Sequence, residues 1–381
     1  MLAPTTGAAR LRGAVALAIA TGLAAATLSA CGAPPEPESS SGSGDSTASA
    51  SASASKNITD YCGKKDLKLA YVDGFGGNGW RKTVRKQLEL EAAKCSNISK
   101  VSYFDANGDP QKYASLINSA VAQGFGAIVT FNDFGSSALT ALRSAYKAGV
   151  AVVPFTADPG GQAGVDYTAF IKPDQQFVGE TWSAWMNKAL KGKGGIVMLG
   201  GTPGNTSSLG WITAYKAAAS AYPGVTLLEK DPVTTNWDVA GTQKATAGVL
   251  SSHSNVNGLL TDYFGTVSAL VRSYEAAGLP LVPMAGMSSS NELGCLYQQV
   301  KAKNPDFQLL SLDGSTNAVL PALRKAVAAA EGIPNNEPTT FRLEVFIDTL
   351  DGKMPRCEPT LPPDADLSAD LSLDQLKEVF N

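Results

Sequence analysis

The sequence predicts an α/β protein built as two doubly wound parallel-sheet lobes, and three observations carry that expectation. Between Leu67 and Met287, short unbroken apolar runs alternate with longer amphipathic ones. Runs rich in Val, Ile and Phe between helical segments read as strands covered on both faces, the condition of a parallel sheet. The alternation closes after VAVVPFTAD and restarts near Phe177. Finally, about 325 residues follow the low-complexity N-terminal region, and 44% of the whole chain is hydrophobic. That is more than one ordinary core accommodates, so two lobes are expected.

In the first lobe LKLAYV is a strand, followed by a helix over residues 80–94. VSYFDA precedes a helix over 110–124, AIVTFN precedes one over 136–149, and VAVVPFTAD ends the set. The second lobe begins with a helix over 177–190, then the strand GIVMLGG and a helix over 208–222. VTLLEKDP, a helix over 239–252, VNGLLTDYF, a helix over 268–278 and LPLVPMAGM continue it. Two such sheets leave a cleft faced by the carboxyl ends of their strands, where loops and helix amino termini bind ligands.

The first 30 residues hold Arg10 and Arg12 and then GAVALAIATGLAAATLSA, the layout of a secretory signal. A membrane-spanning helix is the alternative, since the run is near the lower length limit for one. The tetrad LSAC at 28–31 resembles the lipobox of bacterial lipoproteins, which implies cleavage before Cys31 and acylation of its thiol. Either reading exports the rest of the chain. Residues 32–56, GAPPEPESSSGSGDSTASASASASK, have almost nothing to bury and read as a disordered tether spanning about 25–30 Å.

The formal charge is −3, and loss of Arg10 and Arg12 makes the chain more acidic still. Without basic clusters, a nucleic-acid partner is not expected. Cys62, Cys95, Cys295 and Cys357 form an even set, so two disulfides are expected, with three connectivities open. Their long spacings, the absence of CxxC and the single histidine, His253, argue against a metal site; no cofactor signature is present either. Trp80 and Arg81, in DGFGGNGWRKTVRKQLE, fall at the carboxyl edge of the first strand. Trp80 is either a packing residue or a ligand contact, and Arg81 either a surface charge or a ligand contact.

Several segments occur in one order: GNGWR, DANGDPQKYASLINSAVAQGFGAIV, KAGVAVVPF, GGTPGNTSS, NWDVAGTQKA, GLLTDYFGTVSALVRSYEAAG and SLDGS. With them the chain resembles the type I periplasmic solute-binding proteins of the ribose and galactose class, which serve bacterial ABC sugar importers. The resemblance covers roughly residues 67–347. It implies a three-strand hinge, with crossings near 167–171, 309–314 and 341–347. The N-terminal lobe then holds 57–168 with 311–338, including a late helix at 316–331. The C-terminal lobe holds 169–310 with 339–357, and 358–381 is a tail whose LSLDQLKEVF is amphipathic enough for a docked helix. This layout implies that Cys62 pairs with Cys95 and Cys295 with Cys357. It also implies a small-molecule ligand, a sugar or polyol, an ABC permease partner and a monomer lipid-anchored through Cys31 to the outer face of the bacterial cytoplasmic membrane.

A sugar site stacks aromatic rings on apolar faces and aims amides, carboxylates and guanidinium groups at the hydroxyl rim. Phe75, Asn78, Trp80, Arg81, Asn132, Asp133, Phe134, Thr156 and Asp158 are the first-lobe candidates. Trp237, Asp262, Tyr263, the serines of MSSSN with Asn291, and Asp313 at the implied crossing near 309–314 complete the set. Asp133 and Asp262 directly follow apolar strands and are read as ligand contacts rather than helix caps. Asp158 and Asp313 either contact ligand or shape turns; Asp238 is read as the cap of the helix at Val239, and Trp237 as a stacking ring. Trp182, Trp185 and Trp211 lie within helices and are read as packing residues.

The chain departs from the ribose-type pattern. FTAD at 155–158 replaces an Asp-Arg pair, NTSSLGW lacks an arginine, and no Asn-Asp pair follows LTDY. The residues that would name one sugar are therefore absent. An exported hydrolase is disfavoured because no GxSxG elbow occurs and His253 falls at the edge away from the cleft. A sensor lipoprotein passing ligand occupancy to a membrane receptor shares the same layout.

Overall fold

A computed structural model describes residues 57–380. The signal segment, Cys31 and the tether, residues 1–56, lie outside the described residues. Among the described residues no helix is long and apolar enough to cross a membrane.

The first sheet comprises β1 Leu67–Asp73, β2 Ile98–Asp105, β3 Ala127–Phe131 and β4 Ala151–Pro154, all parallel, in the order β2-β1-β3-β4. β1 lies inside the sheet, and all its residues but Lys68 are buried, which accounts for its unbroken apolar run. Its helices are α1 Gly79–Ala92, α2 Pro110–Ala122 and α3 Leu139–Lys147. Asn78 starts α1 by accepting from the Arg81 N–H at 3.0 Å. Asp109 starts α2 by accepting from two amides, with Pro110 in the first turn, where a missing N–H costs nothing.

The second sheet holds β6 Gly194–Gly200, β7 Val225–Leu227, β8 Val233–Thr234, β9 Val256–Thr261, β10 Met284–Met287, β11 Leu309–Leu312 and β13 Val345–Asp348. Its order is β13-β11-β10-β9-β6-β7, with β8 beside β6, and only β13 runs antiparallel. α4 Gln175–Ala189 and α5 Thr206–Ala219 cover one face through Trp182, Trp185 and Trp211. α6 Val239–Ser252, α7 Val267–Ala277 and α8 Asn291–Val300 cover the other. The late helix α9 Val319–Glu331 returns to the first sheet, burying Leu323, Ala326 and Val327 with Leu69, Val129 and Val153. Beside the lobes' junction, β5 Lys172–Pro173 pairs in parallel with β12 Thr340–Phe341.

Two strands are shorter than their apolar runs. VTLLEKDP yields only β7, and β8 resumes after Pro232; LPLVPMAGM yields only β10, after Pro280 and Pro283. Proline lacks the N–H a ladder needs. The sequence reading did not anticipate α8, whose Gly294 and paired glutamines interrupt the apolar spacing. Gly294 is required there, because a Cβ would stand 1.6 Å from the Arg356 carbonyl oxygen.

Both disulfides form, Cys62–Cys95 and Cys295–Cys357. After Cys357 the chain runs past the junction of the lobes. Asn291 holds it through Glu358 and Leu361, and the Gly314 N–H donates to Ser368 Oγ at 2.8 Å. It ends in α10 Leu373–Phe380, which lies against α1 with Lys86 Nζ 2.8 Å from Glu378. Leu361, Ala365, Leu367 and Leu376 form a small core of their own beneath it. The tail is thus docked along both lobes.

Candidate ligand-binding cleft

Arg81 is on the first turn of α1, between the carboxyl ends of β1 and β3. Its Nη1 lies 2.5 Å from Asp73 Oδ1 and its Nη2 lies 2.9 Å from Asp133 Oδ1, with all three side chains at most 3% exposed. The guanidinium stacks on Phe131 at 3.8 Å from the ring centroid, with Trp80 and Trp237 farther out. Such stacking suits a delocalised cation. Burial pushes the Asp133 carboxyl up to about 7, against the opposing pull of Arg81. Burial raises Asp73 as well, while its two carboxylate neighbours keep Arg81 firmly charged.

The opposite wall is built around Asp262, just beyond β9. Its Oδ2 accepts from Ser208 Oγ at 2.5 Å and its Oδ1 from Trp237 Nε1 at 2.9 Å. Burial pushes this carboxyl up to about 6, and the two donors pull it partly back. Gly201 lets the Trp237 ring lie flat beside the strand end, since a Cβ there would meet the ring at 2.2 Å.

Between these walls is a cavity of about 50 Å³ lined by Asn78, Trp80, Arg81, Phe131 and Thr156 from the first lobe. Ser207, Trp211, Trp237, Asp262, Tyr263, Met287 and Ser288 line it from the second, and Gly314 and Ser315 complete the lining. The lobes touch around it. Asn205 Nδ2 donates to Asp133 Oδ1 at 3.2 Å and Thr206 Oγ1 to the Asp158 carbonyl at 3.0 Å, and where the chain returns to the first lobe Trp80 Nε1 donates to the Gly314 carbonyl at 2.5 Å. Tyr263, though carried by the second lobe, packs into the first lobe's core. The geometry is that of a closed cleft.

Of the residues singled out in the sequence, Asn78, Trp80, Arg81, Thr156, Trp237, Asp262, Tyr263 and Ser288 meet at this cavity. Asp133 stands behind Arg81 and, with Phe75 and Phe134, borders an outer recess at the cleft mouth. Four others stand outside the cavity lining, their side chains engaged by backbone. Asn132 donates to the Gly135 carbonyl and accepts from the Phe134 N–H, shaping its loop. Asp158 accepts from the Gly160 N–H, a turn bond. Asp313 accepts from the N–H groups of Ser315 and Glu344 where β11 meets the β13 segment. Asn291 opens α8 and holds the tail. Asp238 caps α6, accepting from the Gly241 N–H at 2.6 Å. His253 pairs with Glu229 at 2.7 Å and does not reach the cavity.

The sequence reading missed Phe131, Ser207, Met287 and Ser315 as lining residues, and took Trp211 for packing alone. Phe131 is the last residue of a strand already marked by its apolar run, and Ser207 belongs to the NTSS that opens α5. Those positions at strand ends and helix starts were the available signal. Trp211 is 2% exposed and packs at 6.5 Å from Trp182, so it serves the core and the wall together.

A profile of the periplasmic binding protein domain family matches residues 70–293. A xylitol-binding protein of Mycolicibacterium smegmatis is 27% identical over 243 residues, an alignment covering 63% of this chain and 66% of that protein. The fold matches a Caulobacter myo-inositol binding protein solved with myo-inositol, at TM-score 0.64 and 18% identity over 74% of this chain and 93% of the other. It also matches the periplasmic component of an arabinose ABC transporter from Shewanella sp. ANA-3, at TM-score 0.62 and 16% identity over 73% and 92%. At such identities the structural likeness establishes the fold.

Proposed function

Because the chain belongs to the periplasmic binding protein domain family, a family of solute-binding proteins rather than enzymes, we propose that it captures a small polar solute, a sugar or polyol, outside the cytoplasm and hands it to an ABC importer permease. The observation that carries this reading is the aromatic-walled cavity enclosed by residues of both lobes. Rings there offer flat apolar faces, and the hydroxyls and amide between them suit a hydroxylated guest. The relative that binds xylitol supports a polyol or sugar of that size.

Capture proceeds by hinge closure. A guest touching both walls favours the closed form by its differential affinity for it, and the closed shape is what the permease reads. The segment at 1–30 exports the chain, Cys31 carries the lipid, and residues 32–56 give the reach to meet the permease. The protein works as a monomer, presenting one cleft per chain.

Titrating the mature protein with pentitols, pentoses, hexoses and inositols, while following tryptophan fluorescence and heat, tests capture. A saturable response to at least one member is expected, and silence across the panel removes the reading. Trp80→Ala should weaken the responding member by more than about tenfold, the scale of losing one buried ring contact; unchanged affinity removes the cleft assignment. Copurification of a permease with the lipidated protein from membranes tests delivery.

A further inference from the structure

We infer that the cavity selects an uncharged guest and reads its hydroxyls chiefly through the neutral hydroxyls of Thr156, Ser207, Ser288 and Ser315, not through the charged side chains beside them. This rests on the capture reading and narrows it to a ligand charge class and a set of specificity-determining residues.

The charged groups at the cavity already have partners. Arg81 directs Nη1 to Asp73 and Nη2 to Asp133, so its terminal edge is already turned toward two carboxylates. An anion that took that edge would strand two buried carboxylates, and it would also face Asp262 on the opposite wall. A cation fares no better, because the Arg81 guanidinium already occupies the ring face of Phe131. Both Asp262 oxygens accept bonds from within the protein, from Ser208 and Trp237. The first wall's cation is matched by two carboxylates, and the second wall's carboxylate is held by two neutral donors.

Among the side chains lining the cavity, those left without a partner are neutral; the unpaired Asp133 Oδ2 belongs to a residue outside that lining. Thr156 Oγ1 and Ser207 Oγ line the cavity from opposite lobes, are on residues only 5% and 4% exposed, and have no hydrogen-bond partner. A buried hydroxyl left without a partner is costly, so a guest that pairs with both recovers that cost and links the lobes. A hydroxyl can donate or accept, which suits a partner hydroxyl and gives no net preference for a charged one. The backbone supports the same assignment. Thr156, Ser288 and Ser315 have φ of 61°, 69° and 55°, the left-handed region that non-glycine residues avoid, β-branched threonine most of all. Strain of this kind persists where it aims a side chain at a site.

The test is calorimetry on the mature lipid-free protein with neutral xylitol, D-xylose, D-ribose, D-galactose and myo-inositol, the anion D-xylonate and the cation D-glucosamine. At least one neutral compound should bind, with D-xylonate and D-glucosamine at least about 100-fold weaker, the scale of two charged hydrogen bonds lost. Thr156→Val and Ser207→Ala should each weaken that neutral compound by about tenfold. Their unliganded melting temperatures should stay level or rise, because each removes an unpaired buried hydroxyl; this separates a lost contact from a damaged fold. Tighter binding of D-xylonate or D-glucosamine than of any neutral compound overturns the inference while leaving capture standing. So does wild-type affinity in both variants. Failure of the whole set to bind removes the capture reading, and the inference falls with it.

Discussion

The side-chain amide of Asn205, in the second lobe, donates to the Asp133 carboxylate of the first at 3.2 Å. The same asparagine caps α5 by accepting from the Ser207 and Ser208 amides, and the same Asp133 oxygen accepts from Arg81. A helix start on one side and the buried ion triad on the other are thereby joined by one bond that exists only while the lobes are together. A residue with two duties of this kind can be altered so that one is kept and the other lost.

Asn205→Asp does so. Aspartate caps a helix as well as asparagine does, but it cannot donate to Asp133 and sets a second carboxylate against it. The variant should show a larger radius of gyration than wild type by small-angle X-ray scattering without ligand, and about tenfold weaker affinity for the responding sugar. Its melting temperature should change little. Identical scattering and affinity would mean that this bond does not help to hold the lobes together.

Removing Arg81 tests the triad itself. Arg81→Met leaves Asp73 and Asp133, both buried, without their cation. Breaking a buried pair from one side typically costs about 3–5 kcal/mol, so urea unfolding should shift by that order. Adding Asp73→Asn should restore part of the loss, because it removes one stranded charge. Equal stability of Arg81→Met and wild type would show that the triad is not formed in solution.

The strands, and the helices that follow them, were legible in the sequence because a covered parallel sheet writes its burial as continuous apolar runs. β1 and β6 are the clearest cases. Residues immediately past a strand, such as Asp262, were legible for the same reason: the end of the run places them at the cleft. Duties set by distant chain segments were not. Nothing near Asn291 in the sequence shows that residues 358–362 will lie against it, and nothing near Asp313 shows that its carboxylate will take the Glu344 N–H. Trp211 was read as core because helical spacing predicts burial but not which edge of a buried ring meets a void.

Asn291 therefore offers a test that separates tail docking from ligand contact. Its Nδ2 donates to the carbonyls of Glu358 and Leu361 at 2.9 and 3.0 Å, and its Oδ1 accepts from the Glu358 N–H at 2.8 Å. Asn291→Ala leaves those buried backbone groups unpaired, at about 1–3 kcal/mol for each unmatched group. Thermal stability should drop and protease cutting between residues 358 and 372 should quicken, while affinity for the responding sugar stays within about twofold, as expected of a residue away from the ligand. A loss of affinity with the tail still protected would return Asn291 to the ligand.

The last prediction concerns pH. Asp262 titrates near 6 in the folded protein because burial disfavours its anion, against an ordinary value of 3.8. Between those values the folded state holds a proton that the unfolded state has released. Linkage then requires stability to fall as pH rises through that window and to level off above it. The direction is opposite to that of a carboxylate stabilised by a salt bridge. Asp262→Asn keeps an acceptor for Trp237 and a polar partner for Ser208 without titrating. The unfolding free energy of wild type minus that of the variant should accordingly decline from pH 4 to pH 6, by about 2 kcal/mol at a limiting slope of about 1.36 kcal/mol per unit, and stay flat from pH 7 to 8. A difference that rises with pH would mean that the Ser208 and Trp237 bonds outweigh burial, and that Asp262 is an ordinary ionised carboxylate in the closed cleft.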